Sequence, residues 1–209
     1  MNKYLKKDLK GRFTQLSVHK DMLFFSPIDE ILSGFYVEEI KDYMYLWSFQ
    51  QPLFIPQNHI HFTFGKRLRG RDGNAIFHLD SKNILRTIDE VCLAIDQHIK
   101  DVNELRETVR FYNYYRAGTS FNVRSDIAFT ACFLELEHCE SCLADIVKEL
   151  LIENRKTKWL DDLIKRVELL LSKNREGKRI LFQEWKTYSI KELGLAKWCE
   201  IDTGHRGIS

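Results

Sequence analysis

Long apolar runs, proline and a dominant charge are all scarce in this chain, and each scarcity excludes something. No stretch approaches the roughly 18 uncharged apolar residues that a membrane-spanning helix needs. Only three prolines and ten glycines occur in 209 residues, too few for a loop-rich or repetitive architecture. Lysine and arginine total 32 against 30 acidic residues, a net charge of +2. No global field therefore draws the chain to nucleic acid or an anionic membrane, and any such role must come from a local cluster. The lysine-rich opening, 1–16, lacks a continuous apolar stretch and a small-residue cleavage site, so it does not read as a secretory signal. Five cysteines, an odd number, fit reduced thiols better than a disulfide framework. A cytoplasmic location is the expectation.

Catalytic motifs are missing as well. There is no Gly-x-Ser-x-Gly, no His-Glu-x-x-His, no kinase signature and no dinucleotide fingerprint. Gly65 and Gly70 have the spacing of a phosphate loop, but no Gly-Lys-Ser/Thr follows them. Neither catalytic residues nor a cofactor are assigned.

Hydrophobic patterning is abundant: 44% of residues are hydrophobic and 12% aromatic, which supports a packed core rather than disorder. Leu5, Leu9, Phe13 and Leu16 recur at helical spacing. The period then shortens. Met22–Phe25, Ile31–Glu38, Tyr43–Gln51 and His59–Phe64 read as strands, separated by Ser26-Pro27, Lys41-Asp42 and the Pro52–Asn58 stretch. Connections this short favour antiparallel pairing. In the third strand Tyr43, Tyr45, Trp47 and Phe49 share one face.

Helical periodicity takes over from Asp80. One stripe runs from Ile84 to Ile99. A long helix is expected from Ser125, with Phe129, Leu136, Leu143 and Leu150 at strict sevens. Ser189 and Glu192 form a capping-box pattern that would restart a short final helix, closed by Gly194. The expected fold is therefore α+β: a four- to five-stranded antiparallel sheet over residues 1–79, packed against a helical region over 80–200, with a frayed tail at 201–209.

Three constellations carry chemistry. Cys139-Glu-Ser-Cys142 lies, on this reading, about four turns inside the long helix. Cys132 is seven residues away, about 10 Å along the axis, so we read core cysteines and no metal. His59 and His61 point to one side of their strand, a geometry that holds a metal only with a third ligand such as His78. Lys66, Arg67, Arg69 and Arg71 form the one dense basic run, expected on a mobile glycine-flanked loop; the favoured reading is a charged loop that caps a sheet edge, and the alternative is a grip on phosphates.

The segment Phe49-Gln-Gln-Pro-Leu-Phe-Ile-Pro56, with His61-Phe-Thr-Phe-Gly-Lys-Arg-Leu68 and the opening Met1-Asn-Lys-Tyr-Leu-Lys-Lys7, resembles an uncharacterised group of bacterial domains of unknown function. That resemblance implies an N-terminal helix followed by a curled antiparallel sheet. It implies no catalytic residue, and small bacterial proteins of this kind include immunity-type partners of toxins. The leading expectation is a non-enzymatic protein-binding module, with Tyr36, Tyr45, His59 and His61 on an exposed sheet face, together with the cations of 66–71. The alternatives are a nucleic-acid-binding or processing protein using the basic loop, and a metal-dependent hydrolase built on the histidines.

Overall fold

The computed structural model describes residues 3–79, 84–153 and 157–199; the expected tail, 201–209, lies outside them. The fold is α+β, with an N-terminal antiparallel sheet and a helical C-terminal half.

Helix α1 (Lys3–Arg12) presents Leu5 and Leu9 to the core, and Phe13 follows them inward. The expected stripe is real, but the helix stops at Arg12. Leu16 instead opens strand β1 (Leu16–His19), hydrogen-bonding back to the Phe13 carbonyl. Strands β2 (Met22–Phe25), β3 (Ile31–Ile40) and β4 (Tyr43–Pro52) follow as an antiparallel meander. Two-residue loops, Lys20-Asp21 and Lys41-Asp42, join β1 to β2 and β3 to β4, with a left-handed lysine first in each. The two-residue strands β5 (Lys66–Arg67) and β6 (Phe77–His78) both pair with β4.

Pairing fixes which side chains share a face. Tyr36 is opposite Trp47 and Glu38 opposite Tyr45. Gly34 is opposite both Phe49 and Phe24, where a Cβ would sit 2.1 Å from the Leu23 carbonyl oxygen. Only glycine admits β2 and β3 at that separation.

One sheet face carries Leu23, Phe35, Val37, Met44 and Leu46. It packs on α1 and on α2 (Ile84–Glu104) through Ile88, Val91 and Ile95. The other face is closed over half its length. Phe24, Leu32 and Phe49 lie beneath Leu193, Leu195 and Trp198 from the C-terminal end of the described chain. There the Ile28 amide donates to the Trp198 carbonyl at 2.8 Å.

The remaining helices are α3 (Thr108–Tyr115), α4 (Phe121–Phe133), α5 (Cys139–Glu153), α6 (Lys158–Leu171) and α7 (Arg175–Leu193), with a 3-10 turn at Ala196–Trp198. They enclose a third core, into which the post-β4 segment inserts Phe54, Ile55 and Phe64. Three polar contacts tie the halves together. Tyr115 donates to Gln50 Oε1 at 2.8 Å, Lys186 pairs with Glu30 at 2.8 Å, and Ser189 Oγ bridges the Gln57 amide and the Ile55 carbonyl.

Three expectations are corrected. His59–Phe64 is not a strand. The Gln51 side chain accepts from the His61 amide at 2.9 Å and donates to the His59 carbonyl at 3.1 Å, taking bonds a ladder would have used. The single helix from Ser125 is in fact two, α4 and α5, broken between them with Glu135 and His138 left-handed. Arg175 and Arg179 hold Glu135 there, Lys178 holds Glu140, and the heptad residue Leu136 is left exposed. Finally, α7 runs straight through Ser189, whose hydroxyl is used by the 55–57 segment rather than as a cap; Gly194 does close the helix in the left-handed conformation.

Candidate functional site

The residues expected to form one surface are distributed over two. The first is the open half of the outer sheet face. Beyond Phe49, toward Tyr43, no described residue of the C-terminal segment packs on β4. Trp47 is stacked under Phe62 at 4.7 Å, and Phe62 also meets Tyr36 edge-on at 5.4 Å, which leaves Tyr36 half-buried. Burial raises the Tyr36 pKa. Past Trp47, Tyr45 and Tyr43 are half-exposed and meet edge-on at 5.6 Å. The Arg67 guanidinium lies 3.8 Å from the Tyr45 ring centroid and 4.6 Å from that of Trp47. Trp47 Nε1 donates to Glu38 at 3.0 Å. The result is an amphipathic strip of tyrosine, tryptophan and arginine, each held by its neighbours and rimmed by Glu38 and the part-exposed Ile40.

The basic run does not form a single phosphate grip. It begins as a strand, and its cations diverge. Arg67 stacks on the outer face, while Lys66 faces α2, where it adds to burial in lowering the pKa of His98. Arg69 donates to the Gly73 carbonyl at 3.2 Å, within a turn closed by Gly70, Asp72 and Asn74. Arg71 lines a hollow with Asp72, Asp89 and Asp96. The expected mobile loop is a folded turn whose charges are spread around it.

The second surface is a cleft of about 790 Å³ between the 55–63 segment and helices α4, α6 and α7. His59 and His61 lie here rather than beside Tyr45, their rings 4.0 Å apart. His61 is half-buried; desolvation, then His59 and Arg166, push its pKa down to about 4, so the imidazole is neutral. Asp126, on the second turn of α4, is half-buried at the cleft. Partial desolvation there lifts its pKa to about 7, against the pull of Arg166. Arg166 of α6 is itself lowered by burial, and its Nε donates to the Asp162 carbonyl at 3.1 Å. Among the described residues no carboxylate lies within salt-bridge distance of its guanidinium. His78, the third ligand that a histidine metal site would need, is on β6 opposite Tyr43. Among the described residues no group of three His, Cys, Asp or Glu side chains is placed to hold a metal ion.

Asp126 and Arg166 were not anticipated. Asp126 is the acid that directly precedes the largely apolar run Ile127-Ala-Phe-Thr-Ala-Cys-Phe133, a signal available in the sequence. Arg166 has no such signature, because charged residues surround it in α6.

The thiols are also placed differently from expectation. The break after Phe133 makes Cys139 the first residue of α5 and folds it back beside Cys132, close enough for each thiol to act on the other. Burial is the first cause of the raised Cys132 pKa and Cys139 the second. Cys142 is exposed and Cys92 is in the sheet core.

No described helix is long and apolar enough to cross a membrane. No family model matches the chain, and neither a curated protein nor a solved structure does.

Proposed function

We propose that this chain is a cytoplasmic, non-enzymatic protein-binding module, of the immunity or regulatory kind implied by the resemblance of its N-terminal half, and that the partner docks on the open half of the outer sheet face. One observation carries the reading: Arg67 stacked over Tyr45 and Trp47 on an aromatic strip where Tyr43 and Tyr45 stay half-exposed among the described residues. Tyr, Trp and Arg are the residue types that dominate interface energetics. Rings already held by neighbours lose little rotamer freedom on binding. Glu38 and Arg67 supply opposite charges on one strip, which suits a protein surface better than a uniformly anionic polymer. The divergence of Lys66, Arg69 and Arg71 weighs against the nucleic-acid reading for the same reason.

The test is site-directed. A photo-crosslinking amino acid at position 45 is expected to trap one discrete protein in the native cytoplasm, and a Tyr45→Ala/Arg67→Ala chain is expected to lose that partner while melting at the same temperature. If the double variant retains the partner, or position 45 traps only heterogeneous background, the docking site is not here.

A further inference from the structure

The cleft at His61, Asp126 and Arg166 shares no residue with the strip of Tyr43, Tyr45, Trp47 and Arg67, and its chemistry is different. The segment at its upper wall contributes His59 and His61. Helix α4 contributes Ser125 and Asp126, α6 contributes Lys158, Asp162, Lys165 and Arg166, and α7 contributes Tyr188. Three cations thus face two acidic side chains, Asp162 and Asp126, and desolvation raises the pKa of the second to about 7. The first turns of both α4 and α6 open onto the space, so two helix N-termini add their positive ends. Arg166 is half-buried, and among the described residues only its Nε is engaged, by a backbone carbonyl. A planar guanidinium with free N–H groups in a sheltered cleft matches the oxygens of an anion. At the mouth stand two half-exposed rings, Trp159 and Tyr188. Trp159 is braced edge-on by Phe121 at 5.9 Å.

We propose that this cleft binds a phosphate monoester that carries an aromatic ring, the mononucleotide class, with the phosphate at Arg166, Lys158 and Lys165 and the ring against Trp159. The volume of about 790 Å³ falls within the range of small-molecule sites and exceeds what inorganic phosphate alone would fill. The neutral imidazole of His61 and the protonated Asp126 each offer one hydrogen to a ligand oxygen without adding charge. Asp126 also makes the site sensitive to pH. As pH rises through about 7 its carboxylate forms beside the ligand's phosphate and opposes binding.

The experiment is calorimetric titration of the intact chain with adenosine monophosphate, adenosine and inorganic phosphate. The monophosphate is expected to bind at least tenfold more tightly than either fragment. Lys158→Ala/Lys165→Ala, both on the exposed side of α6, is expected to weaken it at least fivefold without changing the melting temperature, and Arg166→Gln by more than tenfold. Arg71→Gln, in the separate hollow beside Arg12 and Asp89, leaves it unchanged. The ratio of wild-type to Asp126→Asn affinity is expected to fall between pH 6 and pH 8. The proposal is overturned if the monophosphate binds no better than adenosine or phosphate, or if Arg71→Gln weakens it as much as the cleft variants do. It is also overturned if the lysine pair can be removed from a folded chain without loss of affinity. None of these outcomes depends on whether a protein docks on the sheet.

Discussion

The sheet and the helical half end their elements by different means. In the sheet the ends are local. Lys20-Asp21 and Lys41-Asp42 turn the chain in two residues, the alternation of β3 and β4 leaves one workable register, and Gly34 sits where two strands approach too closely for a Cβ. In the helical half the ends are tertiary. The α4–α5 break is held by Arg175, Lys178 and Arg179 from a helix about forty residues further on. The segment after β4 is kept out of the sheet by the Gln51 side chain, and α7 continues because Ser189 is used by residues 55–57. A sheet that carries its own punctuation folds as its pattern dictates. A helix whose punctuation lies elsewhere in the chain can be read only once the partner is in place.

The sharpest way to break this comparison is to remove an apolar anchor where the two halves meet. Phe49 is fully buried, between the sheet and the Leu193–Leu195 segment. Phe49→Ala should cost about 3–5 kcal/mol, the usual range for an aromatic truncated in a well-packed core. That loss should appear in chemical denaturation at every pH, since no ionisable group is involved. A cost under about 1 kcal/mol would mean that the C-terminal segment does not seal this face.

A smaller effect, and one confined to the helical half, comes from the opposed titrations in the cleft. The unfolded chain takes up a proton at His61 near pH 6.5, whereas the folded chain refuses it until about pH 4. This contribution therefore makes stability rise with pH across that window. Asp126 does the reverse. The folded chain holds its proton to about pH 7 and the unfolded chain releases it near 3.8, so stability falls as pH rises between those values. In the wild type the two slopes offset each other between about pH 4 and 6.5. Asp126→Asn should leave a stability that climbs with pH there, and His61→Asn one that declines. Denaturation midpoints at pH 4.5, 5.5 and 6.5 read the sign directly, and parallel profiles for the two variants would show that the groups are not desolvated as the cleft geometry requires.

How much was legible follows from the same contrast. The α+β class, the antiparallel order, the shared face of Tyr43, Tyr45, Trp47 and Phe49, and the core roles of Leu5 and Leu9 are all set by spacing, and spacing is in the sequence. His59 and His61 alternate with Ile60 and Phe62 as a strand would, and nothing local reveals that Gln51 would capture their backbone. The seven-residue repeat through Leu136 is equally regular, yet Leu136 ends up exposed, because its position was decided by cations in α7. The candidate sites divide in the same way. The aromatic strip was visible as a strand pattern. The cleft needed His61, Asp126 and Arg166, three residues far apart in sequence, to be brought together by packing.

The smallest expected effect lies on the sheet itself, where the closed and open halves of one face repeat the comparison at shorter range. Phe49 and Tyr45 sit two places apart on the same strand face with like-sized rings, but one is beneath Leu193 and the other beneath a single guanidinium. Truncating Tyr45 removes a half-exposed ring and one cation–ring contact, the latter worth roughly 0.5–1 kcal/mol at an exposed site. Arg67 can recover part of that loss by stacking on Trp47, which it already approaches at 4.6 Å. Tyr45→Ala should therefore lower stability by no more than about 1 kcal/mol, several-fold less than Phe49→Ala in the same denaturation assay. A loss approaching that of Phe49 would mean that the strip is part of the core, and a binding surface could not then be assigned to it.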